Sequence, residues 1–277
     1  MGILNVTPDS FYDGGKYFTL PLKGKAGEGA LLDRVEKMIE EGADIIDVGA
    51  CSTRPNAELI SEEEELKRLI PAVKIIKNKF PHIIISADTF RSKVAEYAVH
   101  EGADMINDIS GGQQLAVKPA ARSQQQETMF KTIGELKIPY ILMHMQGTPQ
   151  TMQINPEYKD VVKEVKEYFV EKVEKLKSLK VEQIIIDVGF GFGKNLEHNY
   201  TLLKNLSAFK ELELPILVGV SRKSMINKVL GTTPKTALNG TTAANTIALM
   251  NGANILRVHD VKEAKEAVKI FTFTNKS

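Results

Sequence analysis

Asp88, Asn107 and Asp187 each close a short apolar run, in IIISADTF, DMINDISGG and IIIDVGFGFGK. A carboxylate or amide at the edge of an apolar environment is costly unless something hydrogen-bonds to it. One reading is that all three cap neighbouring loops. A sharper one is that they accept from a ring bearing adjacent N–H donors, as an aminopyrimidine or guanidine does. Three further clusters suit anions. STRP at 52–55 offers two hydroxyls and Arg54 on a turn. SRKS at 221–224 should open a helix, so that Lys223 and backbone N–H groups face the same way. RVH at 257–259 adds Arg257 and His259. Any one of these alone could be a structural turn. Together the two sets describe a site for a nitrogen heterocycle attached to a phosphate.

What must position them is a repeated element. Eight apolar runs end in polar, glycine-rich or charged clusters: MGILNVTPDSF, DIIDVGACSTRP, IIISADTF, DMINDISGG, YILMHMQG, IIIDVGFGFGK, ILVGVSRKS and NILRVHD. IIIS, IIID and ILVGV are β-branched and continuous, as parallel strands buried on both faces are. The stretches between them carry a helical period. Eight strand–helix repeats predict an α/β fold, a (β/α)8 TIM barrel, with the site at the C-terminal ends of the strands. Such barrels often hold phosphate near strands seven and eight. A length of 277 residues fits one domain, 1–277.

Composition narrows the partners. The net charge of +1 gives no general field toward nucleic acid or an anionic membrane, so any anion site is built locally. No apolar stretch approaches the roughly 18–20 residues that span a bilayer. The sequence opens on a strand rather than a signal peptide, and its single cysteine, Cys51, excludes an internal disulfide. Both point to the cytoplasm.

The connecting segments carry their own expectations. Tyr158, Val161, Val162, Val165, Phe169, Val173 and Leu176 fall on one face of a helix over 157–180. Ser61 with Glu64 forms a capping box, Pro71 should kink or divide the helix that follows, and the run 62–65 reads as a solvated first turn. The stretch 13–29 reads as a long mobile loop, and glutamine-rich 113–127 as a surface insertion. His82, His100 and His198 read as surface residues, while His144 and His259 stand at strand ends. No histidine spacing indicates zinc. GFGFGK at 189–194 has neither dinucleotide nor Walker spacing, so its glycines are better read as letting a ring approach the backbone. Cys51 reads as a bystander thiol.

These motifs, in this order, resemble dihydropteroate synthase, the folate-pathway family that sulfonamides inhibit. NVTPDSF followed by DGG, then DIIDVG with STRP, MHMQGTPQTMQ, DVGFGFGKN, VGVSRKSMI and RVHDV carry the resemblance over essentially the whole chain. It implies a transferase that condenses a dihydropterin-methyl diphosphate with p-aminobenzoate. By the same resemblance Asn5 is the ligand of a magnesium ion that holds the diphosphate with Arg257 and His259. Asp88, Asn107, Asp187 and Lys223 bind the pterin. Phe11, Thr53, Arg54, Pro55 and Ser224 enclose p-aminobenzoate, and the loops carrying Asp9, Asp13 and STRP close over the site. Asp13 with the pterin carboxylates favours a pterin cation, and a homodimer through the outer helices is implied.

The sequence departs from the family in a few places. Family members usually carry a short segment ahead of the first strand, Cys51 stands where a polar or aromatic residue is commoner, and Val188 replaces a common proline. A methyltetrahydrofolate-type methyltransferase barrel would share the pterin carboxylates and amide but would not need both SRKS and RVH. A non-catalytic pterin-binding module would not need Asn5, Lys223, Arg257 and His259 together.

Overall fold

The structure, a computed structural model, describes residues 1–6, 25–51, 59–113 and 122–276. Its strands are β1 (Gly2–Asn5), β2 (Ile45–Gly49), β3 (Ile84–Asp88), β4 (Met105–Asp108), β5 (Tyr140–Met143), β6 (Ile184–Asp187), β7 (Ile216–Val218) and β8 (Ile255–Leu256). They pair in chain order, each parallel to the next. Gly2 bridges in parallel to Val258, with Ile3 N donating to Val258 O at 2.9 Å and Val258 N to Met1 O at 3.0 Å. These contacts close the sheet into the (β/α)8 barrel. Around it lie α1 (Lys25–Glu40), α2 (Glu62–Lys79), α3 (Ser92–His100), α4 (Arg122–Leu136), α5 (Val161–Ser178), α6 (Leu196–Lys204), α7 (Ser224–Leu230), α8 (Leu238–Met250) and α9 (Val261–Thr274).

The strands bury both faces, and alternation along each decides what faces where. Ile46, Val48, Ile85, Ala87, Ile106, Leu142, Ile184, Ile186 and Val218 point outward into the large core shared with the helices. The alternate positions Met105, Ile141, Ile185 and Leu217, with Met1, Ile45 and Ile255, form a separate apolar floor inside the barrel. One step further up the inward faces come Asp88, Asn107 and Asp187. The pairing register sets Gly49 beside Asp88 and Asp88 beside Asn107.

Several connecting segments differ from their sequence reading. Pro71 lies inside α2, which runs unbroken because Leu69, Ala72, Val73 and Ile76 are all buried against the barrel. Ser61 accepts from Glu64 N, but the Glu64 carboxylate turns to Arg68 Nε at 2.7 Å, so only half the capping box forms. Glu65, taken as part of a solvated turn, is fully buried, on the helix face that also carries Leu69 and Ala72, and is paired with Arg91. The helix expected over 157–180 begins at Val161, where Asp160 caps it by accepting from Val162 N and Lys163 N. Lys25 to Gly29 belong to α1 rather than to a loop, and from Arg122 the glutamine-rich stretch is α4. Glycines and glutamines hid both starts. His82 and His100 are exposed, whereas His198 caps α6 together with Asn195.

Candidate active site

The inward side chains at the strand ends assemble around Arg257, just beyond β8. Its Nε donates to Asp47 of β2 at 2.6 Å and its Nη2 to Asp88 of β3 at 2.7 Å. Asn107 Nδ2 lies 3.3 and 3.2 Å from the two Asp47 oxygens. Four strands are thus tied by one buried polar network, which satisfies charges that would otherwise be expensive to bury. Burial still pushes the Asp88 carboxyl up to about 7, with Arg257 opposing it. For Arg257 burial works against the charge, but Asp47 and Asp88 outweigh it and raise the guanidinium above its usual range. Asp47 was missed in the sequence. Its signal was an aspartate inside IIDVG, two residues before Gly49 and therefore on the same inward face.

The other side of the mouth is built on β6 and β7. Asp187, 6% exposed, accepts from Gly189 N at 2.8 Å, and burial raises its carboxyl while Lys223 opposes the rise. Lys223 Nζ donates to Phe190 O at 2.6 Å and sits 4.8 Å over the Phe192 ring. Burial lowers this amine to about 8, with Asp187 holding it up. Gly219, just past β7, lies between this amine and Arg257, and a Cβ there would make ordinary contact, 3.9 Å from both Arg257 Cβ and Lys223 Nζ.

Arg222 explains how SRKS is aimed. Its φ of 57° is left-handed, costing a non-glycine residue about 1–2 kcal/mol. The turn is held because its guanidinium donates to both Asp260 oxygens at 2.8 and 2.6 Å and to Pro234 O at 2.5 Å. That reversal turns Ser221 and Lys223 inward. Ser221 Oγ lies 3.1 Å from His259 Nδ1 and accepts from His259 N at 3.2 Å, fixing the imidazole at the rim. Ser224 starts α7 and is exposed. Asn5 ends β1 half-buried. An apolar cluster of Phe90, Ile109 and Met143, packed by Cys51, Leu59, Met145 and Phe192, stands beside these polar groups.

His144 does not face this site as a free group. It is buried, and Lys194 Nζ lies 2.9 Å from its Nδ1. Burial, and then Lys194, lowers the imidazole well below its usual value. Cys51 is pushed up to about 11 by burial and Glu65, so it carries little thiolate near neutrality. Asp9, Phe11, Asp13, Thr53, Arg54 and Pro55 lie outside the described residues.

Carboxylates and an amide of this kind can accept from and donate to a flat ring with several N–H donors, and Lys223, Arg257 and His259 can face an anion. The family model described as pterin binding enzyme matches residues 1–259. The dihydropteroate synthase of Escherichia coli K12 is 45% identical over 279 residues, covering 99% of this chain and 90% of that protein. A Yersinia pestis dihydropteroate synthase solved with a sulfonamide drug superposes with a TM-score of 0.88 at 41% identity, covering all of this chain and 94% of that one. One from Thermus thermophilus in complex with 4-aminobenzoate gives 0.82 at 35% identity, covering 99% and 93%. The chain belongs to the pterin binding enzyme family, alongside the dihydropteroate synthases.

Proposed function

We infer that the barrel mouth carries out the dihydropteroate synthase reaction of folate biosynthesis. A dihydropterin-methyl diphosphate and p-aminobenzoate become dihydropteroate and diphosphate. The observation that carries this reading is the convergence of Asp88, Asn107, Asp187, Lys223 and Arg257 on one rim of a chain so similar to that family.

Asp88, Asn107 and Asp187 bind the pterin ring, with Lys223 donating to its carbonyl and ring edge. Arg257 and His259 face the diphosphate. Asn5 would hold Mg2+. Asn5 ends β1 half-buried and brings an amide oxygen, a ligand type that magnesium accepts. One amide oxygen suits magnesium, which keeps several waters and takes the rest from substrate phosphates. When bound, it supplies charge neutralisation at the diphosphate.

Breaking the C–O bond leaves a cation delocalised into the pterin and a diphosphate anion. Arg257 and His259 are already oriented by Asp47 and Ser221, so they stabilise the leaving charge with little reorganisation. Asp88, Asp187 and, by resemblance, Asp13 favour the cation. The aniline nitrogen of p-aminobenzoate then forms the new C–N bond and loses a proton, so no enzyme nucleophile is needed. Ser224 with Phe11, Thr53, Arg54 and Pro55 would enclose p-aminobenzoate, and a sulfonamide would compete there.

A homodimer fits the outer surface. Val229 and Leu230 of α7, Ile247 and Met250 of α8, and Ile270 and Phe273 of α9 are exposed apolar residues on adjoining helices, which a second copy would cover. No helix among the described residues is long and apolar enough to cross a membrane; the cytoplasmic placement rests on the resemblance to bacterial dihydropteroate synthases.

The test is product analysis with both substrates and magnesium. Dihydropteroate and diphosphate should appear together, and only when p-aminobenzoate is present. Pterin diphosphate binding without product would mean a binding module, and methyl transfer from a folate would mean the related methyltransferase chemistry.

A further inference from the structure

We propose that Lys194, with Gln153 and Tyr158, is a positioning group that sets the glycine-rich turn after β6 so that it can aim Lys223 at the pterin. This rests on the pterin reading above and goes beyond it to residues that touch neither substrate.

The turn is closed by one backbone bond, Phe192 N to Gly189 O at 3.0 Å, and Gly189 N and Gly191 N donate to Asp187 Oδ1 and Asn199 Oδ1 at 2.8 and 2.7 Å. Gly189, Gly191 and Gly193 adopt φ values of 69, 82 and 62°. At 189 and 193 side chains are also excluded by contact, because a Cβ would come within 1.9 Å of His144 O and 2.4 Å of Gln146 O. Glycine frees the backbone and thereby raises the entropy that must be lost to fix it. The carbonyls are fixed by side chains, three from elsewhere in the chain and one, Lys194, from the end of the run itself. Phe190 O accepts from Lys223, Gly191 O from Gln153 Nε2 at 2.7 Å, Phe192 O from Lys194 Nζ at 3.0 Å, and Gly193 O from Tyr158 Oη at 2.8 Å. Four consecutive carbonyls are each held by a different side chain. Gln153 and Tyr158 both come from the segment between β5 and α5, so this segment and the turn behave as one clamped unit.

Lys194 stands at the centre of the clamp. It is 2% exposed, and among the described residues no carboxylate lies within ion-pair distance of it. A buried, unpaired ammonium is expensive, and burial lowers Lys194 to about 7. Its donors go instead to Phe192 O and His144 Nδ1, with His144 O at 3.4 Å. Charged or neutral, the amine still has N–H groups to give. Through Phe192 the consequence reaches the site directly, because that residue's ring lies under Lys223 Nζ and its neighbour Phe190 accepts from it. Two of the groups that orient Lys223 therefore belong to the turn that Lys194 pins.

The test is steady-state kinetics, with calorimetry using dihydropterin-methyl diphosphate, on the parent, Lys194→Met and the double variant Gln153→Ala, Tyr158→Phe. Lys194→Met keeps the length and apolar stem while removing the donors. Its KM and Kd for the pterin diphosphate should rise about tenfold or more, with a fall in kcat smaller than that of Lys223→Ala. The double variant changes groups nearer the surface and should move the same constants by about three- to tenfold. It decides the matter if Lys194→Met does not fold. A purely structural role would lower the active fraction, hence apparent kcat, and leave KM and Kd unchanged, which would overturn the proposal. If the parent itself does not bind the pterin diphosphate, the functional reading fails first and the proposal with it.

Discussion

Most of the strands build two different interiors, one two residues above the other. At the floor, Ile45, Met105, Ile185, Leu217 and Ile255 face one another and the packing is apolar. Two residues further along, the same faces carry Asp47, Asn107, Asp187, Gly219 and Arg257. Ile185 and Asp187 thus share a strand face, yet one contributes dispersion and burial and the other an acceptor that must find a partner. The floor fixes strand separation, and separation fixes distances at the mouth such as Arg257 to Asp47 and Asp88. Stability and chemistry are therefore stacked along the barrel axis rather than spread around it.

That division breaks if a mouth substitution unfolds the protein or a floor substitution changes substrate affinity. The largest effect belongs to Lys223. Losing one preorganised charged donor typically costs about 3–4 kcal/mol, roughly two to three orders of magnitude in rate. Lys223→Ala should lose that much turnover while melting with the parent. Turnover close to the parent's at unchanged melting would remove Lys223 from the site.

Next in size is the dependence on pH, which only the mouth should show. Asp88 must be ionised to accept from the pterin, and burial has pushed it up to about 7, so activity falls as pH drops through that value. Lys223 must be protonated to give the pterin a charge-assisted hydrogen bond, and burial has pulled it down to about 8, so activity falls again as pH rises through that value. The profile of kcat/KM for the pterin diphosphate should be a narrow bell, each limb losing about tenfold per pH unit. A flat profile across this range would show that neither group titrates in the free enzyme.

A smaller change probes the floor. Ile185→Val removes one buried methylene and should cost about 0.5–1.5 kcal/mol of stability by chemical denaturation. KM for both substrates should stay the same, and a raised KM would mean that floor packing tunes the mouth after all. The smallest effect is expected at Cys51, whose thiol is held up to about 11 and has no step to perform. Cys51→Ser should keep turnover within about twofold. A variant that binds the pterin diphosphate but no longer turns over would put a nucleophile into the mechanism.

How much of this was legible depended on whether the signal was local. Continuous β-branched runs ending in polar clusters gave away the strands, and the ends of those runs gave Asp88, Asn107 and Asp187, because burial and polarity are written in adjacent residues. Asp47 was harder to see. It sits inside its run rather than at the end, and its partner Arg257 is 210 residues away. Glu65 was misread for a related reason: in an acidic run only tertiary packing tells which carboxylate turns inward to meet Arg91. The role of Arg222 rests on a left-handed backbone and on Asp260 in another loop, neither of which SRKS announces. The clamp around 190–193 was hidden because four separate side chains supply it.

The central claim is that the mouth stabilises a separated pterin cation and diphosphate, so that C–O cleavage precedes attack. It can be tested by placing a heavy-oxygen label in the bridging C–O–P position of the pterin diphosphate. The substrate is incubated with enzyme and magnesium in the absence of p-aminobenzoate. Reversible cleavage lets the diphosphate rotate, so the label should move into non-bridging positions of recovered substrate, and it should do so much more slowly in Lys223→Ala. A label that stays entirely in the bridge, in an enzyme that turns over when p-aminobenzoate is added, would contradict the account and require attack concerted with departure.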